Sequence, residues 1–336
     1  MTQPLNSDDE RAPNERPVAV VASRHLCVTT QAGSGTVPVY ANGDWLVPTG
    51  NVRRAVILIH GRLRNADTYF DLAQQACALA GGGPDDTLLI VPQFLASADV
   101  AAHELPSSTL HWDWTSWMGG ENAEGPAPVS SFDVLDAIVQ TLASREQFAS
   151  LAEVVVAGHS GGGQVVQRYA VVARDEEQLA ARGVALRYVV ANPSSYVYFD
   201  AMRPTASGDF ATFGAERCAS FNRWKYGLED LPAYASGVDG VVAARALESR
   251  YAQRDVTILL GGADCDPQHP ALDRSCAAMA QGDHRLGRGL AYARYMAMRH
   301  PRGLAHRTYV IAGVGHDAKG IFASAQGRVA LFGDGL

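Results

Sequence analysis

A serine held between glycines is the first feature of this sequence with the potential for chemistry. Ser160 stands in the pattern Gly158-x-Ser160-x-Gly162, after the apolar run 154–157 and before the stretch 164–172, whose apolar residues recur at helical spacing. This order predicts a strand, a sharp turn and a helix, because the glycines permit a strained turn that lifts a hydroxyl above the edge of a sheet. We therefore predict that Ser160 is a nucleophile, with an ordinary turn serine as the alternative.

A serine hydroxyl becomes an effective nucleophile only when a base takes its proton and a third group orients that base. Asp264 and His316 lie downstream, each shortly after an apolar run of strand length. The carboxyl ends of parallel strands meet at one edge of a sheet, so we expect these two residues and Ser160 to converge there. Asp266 is an alternative orienting acid, and a purely structural role is the alternative for His316.

The elements that must position these residues alternate along the chain between short apolar runs and amphipathic stretches. Such alternation predicts βαβ units, and hence an α/β fold with a mainly parallel central sheet flanked by helices. The predicted antiparallel edge pair is 18–22 with 36–40, and the strands that follow are 55–59, 87–91, 154–157, 186–191, 256–260 and, as the last strand, 308–312. The predicted helices are 66–80, 130–142, 164–172 and 289–299.

The domain organisation is predicted from where this alternation stops. We expect a disordered leader over residues 1–17 and a single domain over 18–336, with an aromatic-rich insertion at about 193–252 that covers the sheet edge as a cap or lid. The loop 103–129 is rich in tryptophan, and loops of this length often carry function. Aromatic packing under a loop is the alternative to a substrate wall. The candidate pocket residues are Trp112, Trp114, Trp117, Tyr196 and Trp224.

Four short segments at predicted strand ends follow the pattern of a known superfamily. They are His60-Gly61, 158–162, Gly261-Gly262-Ala263-Asp264 and Gly315-His316-Asp317. Over residues 35–330 the chain therefore resembles the α/β-hydrolase superfamily, and within it the serine esterases.

The resemblance implies a role for each matching residue. Ser160 would be the nucleophile, His316 the general base and acid, and Asp264 the residue that orients His316. The backbone N–H groups of Gly161 and Arg62 would form the oxyanion hole. The Arg62 side chain would either reach a substrate carboxylate or point to solvent.

The predicted function is hydrolysis of a carboxylic ester through an acyl-enzyme on Ser160. The aromatic candidates predict an apolar or aromatic portion in a small-molecule or polymeric substrate. Cleavage of an amide or peptide, acyl transfer and carbon–carbon bond cleavage are the alternatives within the same fold, and a non-catalytic binding protein is the alternative outside it. Neither a cofactor nor a metal is predicted.

The composition argues against several classes of partner. The net charge is −7 and the basic residues are dispersed, so neither nucleic acid nor an anionic membrane is an expected partner. No apolar run approaches the roughly 20 residues needed to cross a bilayer. The polar amino terminus has no signal-peptide pattern, which favours a cytoplasmic protein as written, or a secreted or periplasmic one if a signal was removed. The oligomeric state is left open.

The cysteines are sparse and odd in number, which argues against a disulfide framework. Cys27 and Cys77 resemble small core residues in their apolar surroundings. Cys265 and Cys276 instead bracket a polar loop, and both a bridge between them and two free thiols are compatible with that spacing. No Cys-x-x-Cys spacing suggests a metal site.

Overall fold

A central sheet is the main architectural feature of the computed structural model, which describes residue 12 and residues 14–47, 50–174, 176–236 and 240–333. The strands in these ranges are β1 (Arg24–Thr30), β2 (Gly33–Ala41), β3 (Arg54–Ile59), β4 (Thr87–Pro92), β5 (Glu153–His159), β6 (Ala185–Ala191), β7 (Met202–Pro204), β8 (Phe210–Thr212), β9 (Asp255–Gly261) and β10 (His306–Ile311).

Eight of these strands form one sheet in the order β1-β2-β4-β3-β5-β6-β9-β10, while β7 and β8 form a separate antiparallel pair. β1 pairs antiparallel with β2, and β2 antiparallel with β4; every other pairing in the large sheet is parallel. The predicted α/β fold with a mainly parallel sheet is therefore confirmed.

Helices cover both faces of the sheet. Those in the described ranges are α1 (Ala66–Leu79), α2 (Ser97–Ala102), α3 (Ser131–Leu142), α4 (Gly161–Val172), α5 (Glu176–Ala180), α6 (Gly240–Gln253), α7 (Cys276–Met279), α8 (Arg285–Arg299), α9 (Ala318–Ala323) and α10 (Ala325–Phe332), with short 3-10 turns at Ser116–Gly119 and Ala233–Ala235. None of the helices in these ranges is long and apolar enough to cross a lipid bilayer.

The central strands are buried on both faces because successive side chains enter different cores. Along β5, Val154 and Val156 pack into the core that includes α3, α4 and α8, while Val155 and Ala157 pack into the core under α1, α9 and α10. A strand alternates its side chains between the two faces of a sheet, so a strand buried on both faces must be apolar throughout. This explains why the continuous apolar runs predict the inner strands well.

The predicted first strand at 18–22 is wrong. β1 begins at Arg24, and residues 33–35 belong to β2 rather than to a turn before it. The backbone N–H of Val18 donates to the Asp99 carboxylate at 2.8 Å, and that of Ala22 donates to Gln93 Oε1 at 3.0 Å. Side-chain acceptors therefore satisfy these backbone N–H groups, so the segment does not need to pair with a strand.

The helix predicted over 289–299 begins earlier than expected, at Arg285. His284 caps it, because His284 Nδ1 accepts a hydrogen bond from the Gly287 N–H at 3.1 Å. Histidine is an uncommon N-cap residue. The local sequence therefore carried no recognisable start signal.

The domain boundaries stay predictions. The segment 193–252 contains β7, β8, the turn Ala233–Ala235 and most of α6, with residues 237–239 outside the described ranges. Of the predicted leader, residues 1–11 and 13 also lie outside them.

The cysteines depart from expectation in two ways. Cys276 forms a disulfide with Cys218, at a Cα–Cα distance of 5.8 Å, whereas Cys265 is free and exposed. The tertiary fold brings Cys218 of the insertion against α7, a proximity that the sequence spacing does not reveal. Cys27 is exposed rather than a core residue, because it alternates on β1 with the buried Leu26 and Val28. Cys77 is buried as predicted.

Removal of the disulfide should cost stability, since it joins residues 58 positions apart. We expect Cys276→Ser to lower the free energy of unfolding by about 4 kcal/mol, from the chain entropy of a loop of this length. The double variant with Cys218→Ser should be no less stable than either single variant. Urea denaturation under oxidising conditions measures this. Cys265→Ser is the matched control and should change the value by less than about 0.5 kcal/mol; an equal loss there would contradict the pairing.

Candidate functional site

The turn that carries Ser160 joins β5 to α4 through a strained backbone. Ser160 has φ 58° and ψ −115°, a conformation that residues other than glycine avoid. The surrounding glycines are required by space: a Cβ at Gly162 would lie 2.1 Å from Ile59 O, and one at Gly158 would lie 2.4 Å from Gly162 O. The turn is held by the Ser160 N–H, which donates to Ala191 O at 2.9 Å.

The structure brings the three residues predicted for the chemistry into one hydrogen-bonded line. His316 Nε2 lies 2.9 Å from Ser160 Oγ, and His316 Nδ1 lies 2.8 Å from Asp264 Oδ2. The geometry fits a neutral imidazole that donates from Nδ1 to the carboxylate and accepts at Nε2 from the hydroxyl. Asp266 is turned elsewhere, since its Oδ1 accepts from the Gln268 N–H at 2.8 Å. Of the two candidate acids, Asp264 is therefore the one beside His316.

Burial and neighbouring charges set the protonation states of Asp264 and His316. The pKa of the Asp264 carboxyl is below its usual value: burial opposes ionisation, but the hydrogen bond and charge of His316 and the charge of Arg285 outweigh it. The pKa of His316 is also below its usual 6.5, because burial and the charges of Arg285 and Arg62 outweigh the effect of Asp264. At neutral pH this arrangement favours an ionised carboxylate and a neutral imidazole that is ready to accept a proton.

The Asn192 side chain links the end of β9 to the segment that follows β10. It follows β6 with φ 44°, its Oδ1 accepts from the Gly261 N–H at 2.7 Å, and its Nδ2 donates to Gly315 O at 3.3 Å. Gly261 is required here, because a Cβ would lie 2.5 Å from Gly315 O. The segments that carry Asp264 and His316 are thus joined by one amide side chain.

The backbone N–H groups of Gly161 and Arg62 belong to two segments that meet beside Ser160. A Cβ at Gly161 would lie only 3.1 Å from Arg62 N, so these two backbone segments are in close contact. Neither N–H donates to another backbone group in the described ranges. The predicted oxyanion-hole donors are therefore adjacent to each other and to the serine, as stabilisation of an oxyanion requires.

The loop that presents Arg62 N is fixed by buried polar contacts. The His60 ring is fully buried, Nδ1 donates to Gly61 O at 2.8 Å, and Nε2 accepts from the Phe94 N–H at 2.9 Å. Burial lowers the pKa of His60 to about 4, which keeps the imidazole neutral as both contacts need. Arg64 then anchors the loop through a buried ion pair with Asp99, whose Oδ2 lies 2.7 Å from Arg64 Nε.

A cavity of about 320 Å³ opens beside Ser160, and its wall is more polar than the sequence led us to expect. The charged residues among those lining it are Arg62, Lys225, Asp273 and Arg274. The Arg62 guanidinium carbon lies 5.2 Å from the centre of the Trp114 ring, and both residues line the cavity. Of the five aromatic residues predicted for the pocket, Trp114 lines it.

The other four aromatic candidates lie elsewhere. Trp112 and Trp117 are almost completely buried. Trp117 stacks on Phe94 with ring centres 5.3 Å apart and contacts the His60 ring, while Trp112 also packs against Phe94, so both indoles support the loop that begins at His60. Tyr196 is fully buried against Tyr292. Trp224 packs against the core, and its Nε1 donates to Gly119 O at 2.6 Å. Large aromatic side chains gain most free energy in the core, which the loop sequence cannot distinguish from a cavity wall.

Three residues near the site carried no sequence signal. Arg285 donates to Asp264 Oδ1 at 3.3 Å and to Ser194 Oγ at 3.0 Å, and it lies at the start of a helix whose beginning was not recognised. Arg168 is fully buried on α4 and donates to Met118 O at 2.6 Å, which fastens the turn Ser116–Gly119 to α4. Lys225 follows Trp224 in the insertion, where no periodicity marks it.

Metal ligation has no obvious place in this arrangement. Across the described ranges, no three or more His, Cys, Asp or Glu side chains are grouped so that they could hold a metal ion.

The protonation argument can be measured directly. In a proton NMR titration, His316 should show a pKa below 6.5, and Asp264→Asn should lower it by about one pH unit or more, because the carboxylate favours the charged imidazolium. The signal is identified by its loss in His316→Gln. Asp266→Asn is the matched control and should leave the value nearly unchanged; a rise in the Asp264→Asn protein would contradict this electrostatic account.

Solved structures of other proteins identify the superfamily whose fold this chain shares. No family model and no curated protein matches the sequence. Among solved structures, poly(aspartic acid) hydrolase-1 from Sphingomonas sp. KT-1 is similar at a TM-score of 0.60 and 22% identity, covering 93% of this chain and 99% of that one. A poly(3-hydroxybutyrate) depolymerase from Bordetella parapertussis is similar at a TM-score of 0.56 and 19% identity, covering 88% and 85%. The chain therefore has the fold of the α/β-hydrolase superfamily.

Proposed function

We propose that the protein is a serine hydrolase that cleaves a carboxylic acid derivative through an acyl-enzyme on Ser160. The observation that carries the proposal is the line from Ser160 Oγ through His316 to Asp264, with contacts of 2.9 and 2.8 Å, at the end of a strained turn. A strained turn costs free energy and is retained where it serves a purpose. A buried carboxylate, a neutral imidazole and a hydroxyl in this order are the components of nucleophilic catalysis.

In the first half-reaction, His316 Nε2 removes the hydroxyl proton as Ser160 Oγ attacks the substrate carbonyl carbon. The N–H groups of Gly161 and Arg62 donate to the oxygen that becomes negative, each contributing roughly 3 kcal/mol of transition-state stabilisation. His316 then gives its proton to the leaving group, and the tetrahedral intermediate collapses to the acyl-enzyme. The low pKa of His316 favours this second proton transfer as well as a neutral resting state.

In the second half-reaction, water takes the place of the leaving group. His316 removes a proton from the water, the oxygen attacks the acyl carbon, and Ser160 leaves with the proton returned by His316. Asp264 stays ionised throughout and stabilises the imidazolium that forms twice in the cycle, while Arg285 keeps that carboxylate in place.

An ester is the substrate that we propose first. The two similar structures are a poly(aspartic acid) hydrolase and a poly(3-hydroxybutyrate) depolymerase, which supports hydrolytic chemistry on this fold and leaves the bond type to be measured. The same catalytic residues would serve an amide. The cavity wall no longer favours an apolar or aromatic substrate portion, because Arg62, Lys225 and Arg274 contribute to it.

Loss of the nucleophile should abolish both labelling and turnover. A fluorophosphonate should form a one-to-one adduct with the wild-type protein and none with Ser160→Ala, as seen in the intact mass. On 4-nitrophenyl esters, Ser160→Ala should lower kcat by at least about 1000-fold. Ser194→Ala, which removes another hydroxyl from the same cavity, should still form the adduct. Unchanged labelling of Ser160→Ala would refute the assignment.

The two neighbouring aspartates offer a matched test of the orienting acid. Asp264→Asn should reduce kcat by roughly 10⁴-fold, because the amide no longer holds His316 in its productive tautomer or stabilises the imidazolium. Asp266→Asn removes the same charge two residues away and should stay within about threefold of wild type, since surface changes have small effects. Steady-state kinetics at pH 8 measures both. The reverse ranking would transfer the role to Asp266.

A further inference from the structure

The cavity beside Ser160 contains a lysine whose charge is not neutralised by contact. Lys225 is half-buried in the cavity wall and, among the described residues, has neither a hydrogen-bond nor an ion-pair partner. Removal of an ammonium group from water costs free energy that a partner normally offsets. A lysine in this situation is suited to bind an anion that the protein itself does not supply.

A second cation lies in the wall of the same cavity. Arg62 stacks over Trp114, and its Nε is buried without a hydrogen-bond partner. Its charge also contributes to the lowered pKa of His316, so the guanidinium acts within electrostatic reach of the reacting atoms. Guanidinium groups bind carboxylates through a planar pair of donors, and stacking on an aromatic ring holds that plane in a fixed orientation.

The one acid among the described lining residues is already engaged. Asp273 Oδ2 accepts from the Tyr226 hydroxyl at 2.7 Å, and its Oδ1 accepts from the Ser275 N–H at 3.0 Å. It attracts Lys225 without forming an ion pair with it. Arg274 adds a further positive charge at the exposed rim of the cavity.

We propose that this cavity binds a carboxylate carried by the substrate, with the Lys225 ammonium and the Arg62 guanidinium as its partners. The inference rests on the proposed function, because it names the substrate class of the same site: an ester or amide that also carries a free carboxylate. The charge assists binding of the substrate and its orientation against Ser160. It also selects against neutral esters of the same length, which leave both cations without a partner.

The groups around Lys225 predict how this preference changes with pH. Burial lowers the Lys225 pKa to about 8, and Arg168 on α4 lowers it too, against the opposing charges of Asp273 and Glu121. Lys225 is therefore mostly charged at pH 7 and mostly neutral at pH 10. Recognition of an anion should weaken across that interval, and the bound anion should itself raise the Lys225 pKa.

Paired esters test the preference from both sides of the scissile bond. The acyl-side pair is 4-nitrophenyl hydrogen adipate and its methyl ester; the leaving-group pair is 4-carboxyphenyl hexanoate and its methyl ester. Rates are divided by those of spontaneous hydrolysis to remove intrinsic reactivity. In at least one pair, kcat/KM at pH 7 should favour the charged ester by about 10- to 100-fold, the range expected for a charge-assisted hydrogen bond.

Variants assign that preference to Lys225. Lys225→Met should reduce the ratio between charged and neutral ester about tenfold or more at pH 7. Lys225→Arg should restore it and keep it at pH 10, where the wild-type ratio falls. Lys319→Met removes the same charge from an exposed lysine outside the cavity lining and should keep the wild-type ratio. A ratio that Lys225→Met does not change would overturn the proposal.

A binding measurement separates this proposal from the proposed function. Adipate titrated into the Ser160→Ala protein by calorimetry should bind, and the added Lys225→Met change should weaken the affinity about tenfold or more. Hydrolysis of the neutral esters with no preference in either pair, and no adipate binding, overturns the carboxylate site and leaves the serine hydrolase. If adipate binds in a manner that depends on Lys225 but no ester is hydrolysed, the proposed hydrolase function is overturned and the carboxylate site stands.

Discussion

The close approach of three backbone segments at Ser160 is the constraint on which the rest of the site depends. The first turn of α4 lies so near the end of β3 that a Cβ at Gly162 would contact Ile59 O at 2.1 Å. The same crowding places Gly161 against the backbone of Arg62 and forces Ser160 to φ 58°. The position of the hydroxyl and the pairing of two backbone donors are therefore consequences of one steric arrangement. The inner strands supply the rigidity that such strain requires.

The buried cations of this molecule fall into two groups, which differ in whether a protein acceptor contacts them. Arg64 is paired with Asp99 and Arg285 with Asp264, while Arg168 donates to Met118 O of a neighbouring turn and to the side-chain oxygens of Gln164 and Ser195. These cations hold loops and the Asp264 carboxylate in position, and their buried charge is compensated by nearby acceptors. Lys225 differs because none of the described residues offers it such an acceptor. That difference separates a structural cation from one that we propose binds substrate.

Two segments that are distant in the chain meet in one part of the cavity wall. Lys225 and Tyr226 come from the insertion after β6, whereas Asp273 belongs to the loop between Asp264 and α7. The Tyr226 hydroxyl donates to Asp273, and the disulfide from Cys218 to Cys276 joins the same two segments. Because that loop begins at Asp264, which contacts His316, the proposed substrate-binding wall and the proposed catalytic residues share one structural support. A change in either segment is therefore expected to affect both binding and turnover.

The sequence by itself determined the α/β architecture, the strained turn at Ser160 and the strand ends that carry Asp264 and His316. Those features depend on short-range periodicity and on chain order in a parallel sheet, which are local properties. Only the tertiary structure decided that Trp114 reaches the cavity while Trp112 supports the core, that Cys276 pairs with Cys218, and that Lys225 lines the same cavity as Ser160 with no partner among the described residues. Burial and pairing depend on contacts between residues far apart in the chain, and no local pattern records them.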